Sequence, residues 1–107
     1  MNLFELQNLV DEWVKGNGGY WAPLAMLASA TEELGEVARE INNLEQIKKK
    51  KKGEKKKDLG IELADMIFSV ICLANHYQIN LSEAFDITMK KYTNRDWERF
   101  LDDEEEF

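Results

Sequence analysis

Glu62 and Asp65 lie inside one of the most apolar stretches of the chain, Ile61–Leu73. Three residues apart on a helix, their carboxylates share a face one turn apart. A second acidic cluster, Glu32-Glu33-Leu34-Gly35-Glu36, lies upstream in another amphipathic segment. Burying an ionised carboxylate without a partner costs on the order of several kcal/mol. Neither segment holds a run of Arg or Lys, so the simplest partner is a divalent cation. Glu33 and Glu36 are also three residues apart, and antiparallel packing of the two helices would bring both pairs to one cavity. Oxygen donors without histidine or cysteine select Mg²⁺ or Mn²⁺ over zinc. Mg²⁺ keeps several waters and binds substrate phosphates alongside protein carboxylates. Glu33, Glu36, Glu62 and Asp65 are therefore candidate metal ligands for cleaving a phosphate ester or phosphoanhydride, with one metal or two.

Acid pairs at this spacing are common on exposed helix faces, and Glu33 with Glu36 alone would read as surface charge. The apolar surroundings of Glu62 and Asp65 set that pair apart, and the two pairs together favour a metal centre. Glu40 continues the acidic face beyond Glu36, but beside Arg39 it reads as a surface residue. Glu32 points about 100° away from Glu33 around the helix, as a supporting group or a base and not a primary ligand.

The elements that must position these acids are helical. Leu3, Leu6, Leu9 or Val10, and Trp13 recur at helical spacing, predicting a first helix over Asn2–Lys15 with Trp13 in the core. Gly16-Asn17-Gly18-Gly19 stops it. A second helix starts near Pro23 and runs to about Gln46, with Leu27, Ala30, Leu34, Val37, Ile41 and Leu44 as its apolar seam. The lysine-rich segment near 48–57 reads as a connecting loop. A third helix runs from about Asp58 to Tyr77. Its polar residues Asp58, Glu62, Asp65, Ser69, Cys72 and His76 form one line, and its other faces are apolar enough to predict burial. Asn80 and Glu83 have capping-box spacing ahead of a fourth helix, whose face carries Leu81, Ala84, Phe85, Thr88 and Tyr92. A weaker continuation contains Trp97, Phe100 and Leu101, and an acidic tail follows near 102–107. No strand-like alternation competes. The expected fold is all-α: a bundle of four main helices in one domain, 1–107, completed by oligomerisation because so short a chain buries a modest core.

Composition narrows the class. Hydrophobic residues at 44% and charged residues at 33% exclude a disordered or membrane-embedded chain. A net charge of −7 argues against a stable nucleic-acid partner. The longest apolar run is too short for a bilayer and carries two acids, and the N-terminus lacks a signal-peptide pattern. Cys72, alone and in apolar company, reads as a core residue of a cytoplasmic protein.

These residues resemble the MazG-like all-α nucleoside triphosphate pyrophosphohydrolases. That family's motif is Glu-Glu-x-x-Glu, a spacer, then Glu-x-x-Asp, matched here by Glu32-Glu33-Leu34-Gly35-Glu36 and Glu62-Leu63-Ala64-Asp65. The approach Gly19-Tyr20-Trp21-Ala22-Pro23-Leu24-Ala25-Met26 and the later Lys91-Tyr92-Thr93-Asn94-Arg95-Asp96 look like the small stand-alone members. The likeness runs from the first helix to Asp96; either half of the motif alone is weak.

The resemblance implies Glu33, Glu36, Glu62 and Asp65 as Mg²⁺ ligands, with Mn²⁺ as a substitute. It implies Lys91 and Arg95, four residues apart on one helical face, as triphosphate contacts. The implied reaction hydrolyses a nucleoside triphosphate, a dNTP or a non-standard nucleotide, to monophosphate and pyrophosphate as nucleotide-pool housekeeping. Glu32 or Glu36 orients or deprotonates the water, and the sequence does not choose between them. The implied assembly is a homodimer or homotetramer. Trp21, just before the second helix, either stacks on the base or packs in the bundle or a subunit interface. Asn75 is a candidate contact to sugar or base, and His76 reads as structural or exposed. A di-iron bundle needs Glu-x-x-His pairs that the chain lacks. Phosphoribosyl-ATP pyrophosphohydrolases have a lysine-rich lead where Ala28-Ser29-Ala30-Thr31 stands. A non-catalytic acidic module binding nucleotide or Mg²⁺ is the remaining alternative.

Overall fold

A computed structural model describes residues 1–46 and 58–105, with side chains described as far as residue 95. It contains four helices: α1 (Leu3–Gly16), α2 (Pro23–Leu44), α3 (Leu59–His76) and α4 (Leu81–Glu105). Among the described residues there is no strand. The expected lysine-rich loop near 48–57 lies outside the described residues, as do 106–107 of the acidic tail. The side chains of Trp97, Phe100 and Leu101 lie outside them too, although the helix that carries them is continuous with α4.

The helix boundaries follow their local chemistry. Asn2 caps α1 through Oδ1, which accepts from Glu5 N at 2.8 Å. Gly18 and Gly19 then take φ values of +102° and +87°, a region open to glycine, and turn the chain toward α2. Pro23 occupies the first turn of α2, where its missing N–H costs nothing. Asp58, expected within the polar line of the third helix, is instead its N-cap and accepts from Gly60 N and Ile61 N. Asn80 Oδ1 accepts from Glu83 N at 3.2 Å at the start of α4.

α2 packs chiefly against α3, and α1 bridges α3 and α4. The core cluster is Val10, Val14, Met26, Ile71 and Cys72, with Leu3, Leu6, Tyr20, Leu73 and Leu81 against it. Met26 near the start of α2 thus meets the end of α3, and Glu33 further along meets Glu62 and Asp65 near its start. The two helices run antiparallel, as convergence of the acid pairs required.

Several side chains face the opposite way from their expected direction. Of the predicted α2 seam, Val37 is buried but Leu27, Leu34, Ile41 and Leu44 are exposed, while Met26 and Glu40, outside that seam, are buried. Glu40, read as a surface residue, is only 2% exposed. On α3, Glu62, Ser69 and Cys72 of the polar line are buried, and Ile61, Leu63, Ile67 and Val70 point outward. The pairing of α2 and α3 therefore turns its carboxylates in and many of its apolar side chains out. Periodicity identifies an apolar face but not what covers it. Contrary to the expectation of too short an apolar run, α3 is long and apolar enough to cross a membrane by length and composition alone, but its acids meet Glu33 of α2. The radius of gyration is 18.4 Å, well above the roughly 13 Å of a compact chain of about this length.

Candidate active site

Carboxylate oxygens of Glu33, Glu62 and Asp65 lie within 4.8 Å of one another, one from α2 and two from α3. Glu62 is only 6% exposed, Glu33 is half-buried and Asp65 opens to solvent. Burial pushes the Glu33 carboxyl above its usual range, and the negative charges of Asp65, Glu62 and Glu36 and a hydrogen bond with Glu62 push it further. Glu36 thus acts on the group without belonging to its tightest set. A cluster of hard oxygen donors that raises the proton affinity of a member is suited to a hard divalent cation, which can replace the proton and relieve the repulsion. Glu32 is exposed on another side of α2.

Beside this cluster lies a cleft of about 460 Å³, which Glu33 and Asp65 line together with Trp13, Trp21, Phe68 and Ser29. Trp13 was expected in the core, but it is 59% exposed and packs edge-on against Phe68, with ring centroids 5.9 Å apart. Val10 and Val14 take the buried stripe of α1 and leave Trp13 one position off it. Trp21 is also exposed and lines the same cleft. The aromatic wall was legible only in part: Trp21 stood out, Trp13 fitted helical periodicity and read as packing, and Phe68 carried no signal of its own.

Tyr20 braces the loop carrying Trp21. Its hydroxyl donates to Asp11 Oδ1 at 2.6 Å, and Lys15 Nζ lies 2.9 Å from Asp11 Oδ2. Burial, then the bond to Asp11, pushes the Tyr20 hydroxyl up to about 12. Burial likewise raises the Cys72 thiol, which sits in the cleft wall.

The remaining candidates stand apart from the acids. Asn75 lines a separate polar cavity of about 390 Å³ with Gln7, Asp11 and His76. Its Oδ1 accepts from Gln7 Nε2 and its Nδ2 donates to Gln7 O, so its carboxamide is engaged in joining helices. His76 is exposed between the rings of Tyr20 and Tyr77. Lys91 and Arg95 project from α4 over the Tyr92 ring, 5.2 Å and 4.5 Å from its centroid, and line neither cavity.

An antiparallel helix pair with inward carboxylates beside an aromatic cleft is suited to holding a divalent cation beside a ligand, and the sequence comparison supplies the class. Residues 22–100 match the MazG nucleotide pyrophosphohydrolase domain, and the chain belongs to that family of nucleoside triphosphate pyrophosphohydrolase enzymes. It is 43% identical over 102 residues to YpjD of Bacillus subtilis (strain 168), described as an uncharacterized protein, spanning 94% of this chain and 92% of that one. A crystal structure of Bacillus subtilis YpjD, described as a proposed pyrophosphatase, superposes with a TM-score of 0.76 at 42% identity, covering 86% of this chain and 95% of the other. The Bacillus-conserved MazG protein, described as a nucleotide pyrophosphohydrolase, gives a TM-score of 0.70 at 38% identity, covering 86% and 89%.

Proposed function

We propose that the protein hydrolyses nucleoside triphosphates, dNTPs or non-standard nucleotides, to monophosphate and pyrophosphate with Mg²⁺, and that Mn²⁺ can replace it. The carrying observation is the meeting of Glu33, Glu62 and Asp65 beside an aromatic cleft. Glu33, Glu62 and Asp65 hold the metal, with Glu36 beside them. When bound, the metal neutralises phosphate charge and lowers the pKa of its water.

The residues divide the rest of the work. Trp21 and Trp13 take the base between exposed indole faces, where stacking contributes without hydrogen-bond readout. Lys91 and Arg95 supply fixed positive charge to the phosphate tail. The water oxygen bonds to the α-phosphorus while the bond from that phosphorus to the bridging oxygen breaks. Pyrophosphate leaves with the electron pair, and the water proton passes to Glu32 or Glu36. Asn75 contacts sugar or base from a carboxamide held in place by its bonds to Gln7.

The outward apolar rows of α2 and α3 and the extended shape support a homodimer or homotetramer, with residues 1–107 as one domain in each copy. A nucleotide-pool role suits the cytoplasm. Turnover of a dNTP panel in ¹⁸O-labelled water, with and without Mg²⁺, tests the reading. Mg²⁺-dependent label in the monophosphate is expected. Label in pyrophosphate, or nucleotide binding without turnover, would contradict it.

A further inference from the structure

The direction of α4 is fixed at its start more than along its length. It packs chiefly on α1, and its side chains Phe85, Ile87 and Met89 are exposed. Its first residue, by contrast, is held by a buried side chain of α1. Gln7, 6% exposed, donates from Nε2 to Asn75 Oδ1 and to Ile79 O, each at 2.9 Å. Its Oε1 accepts from Leu81 N at 2.9 Å, and its backbone O accepts from Asn75 Nδ2 at 3.0 Å. One carboxamide thus joins α1 to the end of α3, to the turn and to the first residue of α4. Both of its N–H donors and its oxygen are used. A carboxylate at this position would keep the bond to Leu81 N and lose both donors.

The consequence lies at the far end of the helix. At about 1.5 Å per residue, Lys91 and Arg95 stand roughly 15 Å and 21 Å from Leu81, so a tilt of about 10° there moves Arg95 by about 4 Å. That exceeds the reach of a hydrogen bond, so contacts from these cations to the phosphate tail would be lost. We infer that Gln7 is a positioning residue for substrate binding: it sets the angle of α4 and through it the placement of Lys91 and Arg95. This rests on the reading of those two cations as triphosphate contacts. The carboxylate cluster lies near the opposite end of α3 from Asn75, on a helix that packs chiefly against α2.

The test uses the full chain, steady-state kinetics on a dNTP at saturating Mg²⁺, and Mn²⁺ affinity measured without nucleotide by electron paramagnetic resonance. Gln7→Glu is expected to raise KM about tenfold with kcat within about twofold. Mn²⁺ affinity is expected to be unchanged, and Gln7→Glu added to the Lys91→Ala/Arg95→Ala double variant is expected to leave its KM no worse. Gln7→Met, near in shape but without the polar bonds, is expected to show a larger KM increase and stands in if Gln7→Glu does not fold. A lowered kcat with unchanged KM, or a further KM increase when Gln7→Glu is added to Lys91→Ala/Arg95→Ala, would overturn the positioning role. Unchanged KM in both Lys91→Ala and Arg95→Ala would remove the cations from the substrate site and the inference with them. A raised KM in those two variants beside an unchanged KM in the Gln7 variants would reject the lever alone.

Discussion

Glu33 on α2 and Asp65 on α3 hold their carboxylates within 4.8 Å of each other across the helix pair, with Glu62 in the same cluster. Burial and the surrounding negative charge raise the Glu33 carboxyl above its reference value of 4.5. The folded, metal-free protein therefore holds this proton more tightly than the unfolded chain does. The contribution of Glu33 to stability falls as pH rises from about the reference value through the raised one. Metal binding needs the ionised form and opposes that loss. Melting curves across this window are expected to show a Mg²⁺ stabilisation that grows with pH, and Glu33→Gln is expected to flatten both trends. A Mg²⁺ effect independent of pH in this range would contradict the coupling.

Tyr20 makes an alkaline counterpart. Its hydroxyl is raised from 10.0 to about 12 by burial and by its bond to Asp11. The unfolded chain releases this proton first, so the stability it contributes is present below about pH 10 and lost as pH rises toward about 12. Tyr20→Phe removes the titrating group. The difference in melting temperature between the native protein and Tyr20→Phe is expected to shrink across that interval, and a constant difference would refute this assignment.

Trp13 separates packing from binding. It is exposed, meets Phe68 in a T-shaped contact and lines the cleft beside Glu33 and Asp65. Base stacking contributes about 1–3 kcal/mol, so Trp13→Ala is expected to raise KM for a dNTP at least about fivefold with kcat little changed. Thermal stability is expected to fall by less than about 1 kcal/mol, in keeping with an exposed side chain. A large loss of stability with unchanged KM would return Trp13 to a core role.

The outward side chains of α2 predict the assembly. Leu27 and Ile41 are exposed on a helix whose inner face is occupied by Met26, Val37 and Glu40. Analytical ultracentrifugation is expected to give a dimer or larger species for the native protein. Leu27→Glu or Ile41→Glu is expected to yield a 12.5 kDa monomer with lower activity. A native protein that sediments as a monomer at micromolar concentration would contradict this.

Helix identity and ends were legible because local chemistry sets them: Gly18 and Gly19 turn the chain, and Pro23 and Asn80 open helices. The acids were legible because carboxylates in apolar company demand compensation. Orientation was harder to read. Leu27, Leu34 and Ile41 form a regular apolar row that suits a core as well as an outer surface, and only the packing of α2 on α3 distinguishes the two. Glu40 was misread for the same reason, since adjacency to Arg39 does not set which way a side chain points. Gln7 gave no signal at all, because its partners Asn75, Ile79 and Leu81 are brought to it only by the tertiary fold.

The central claim is that the carboxylates between α2 and α3 hold the metal for nucleotide hydrolysis. Pyrophosphate release by Glu62→Ala and Asp65→Ala, measured with Mg²⁺ beside a calorimetric titration of Mn²⁺, tests it most directly. Both variants are expected to remain folded, to lose Mn²⁺ binding and to lose at least about 100-fold in kcat/KM. Full Mg²⁺-dependent turnover in either variant would contradict the account.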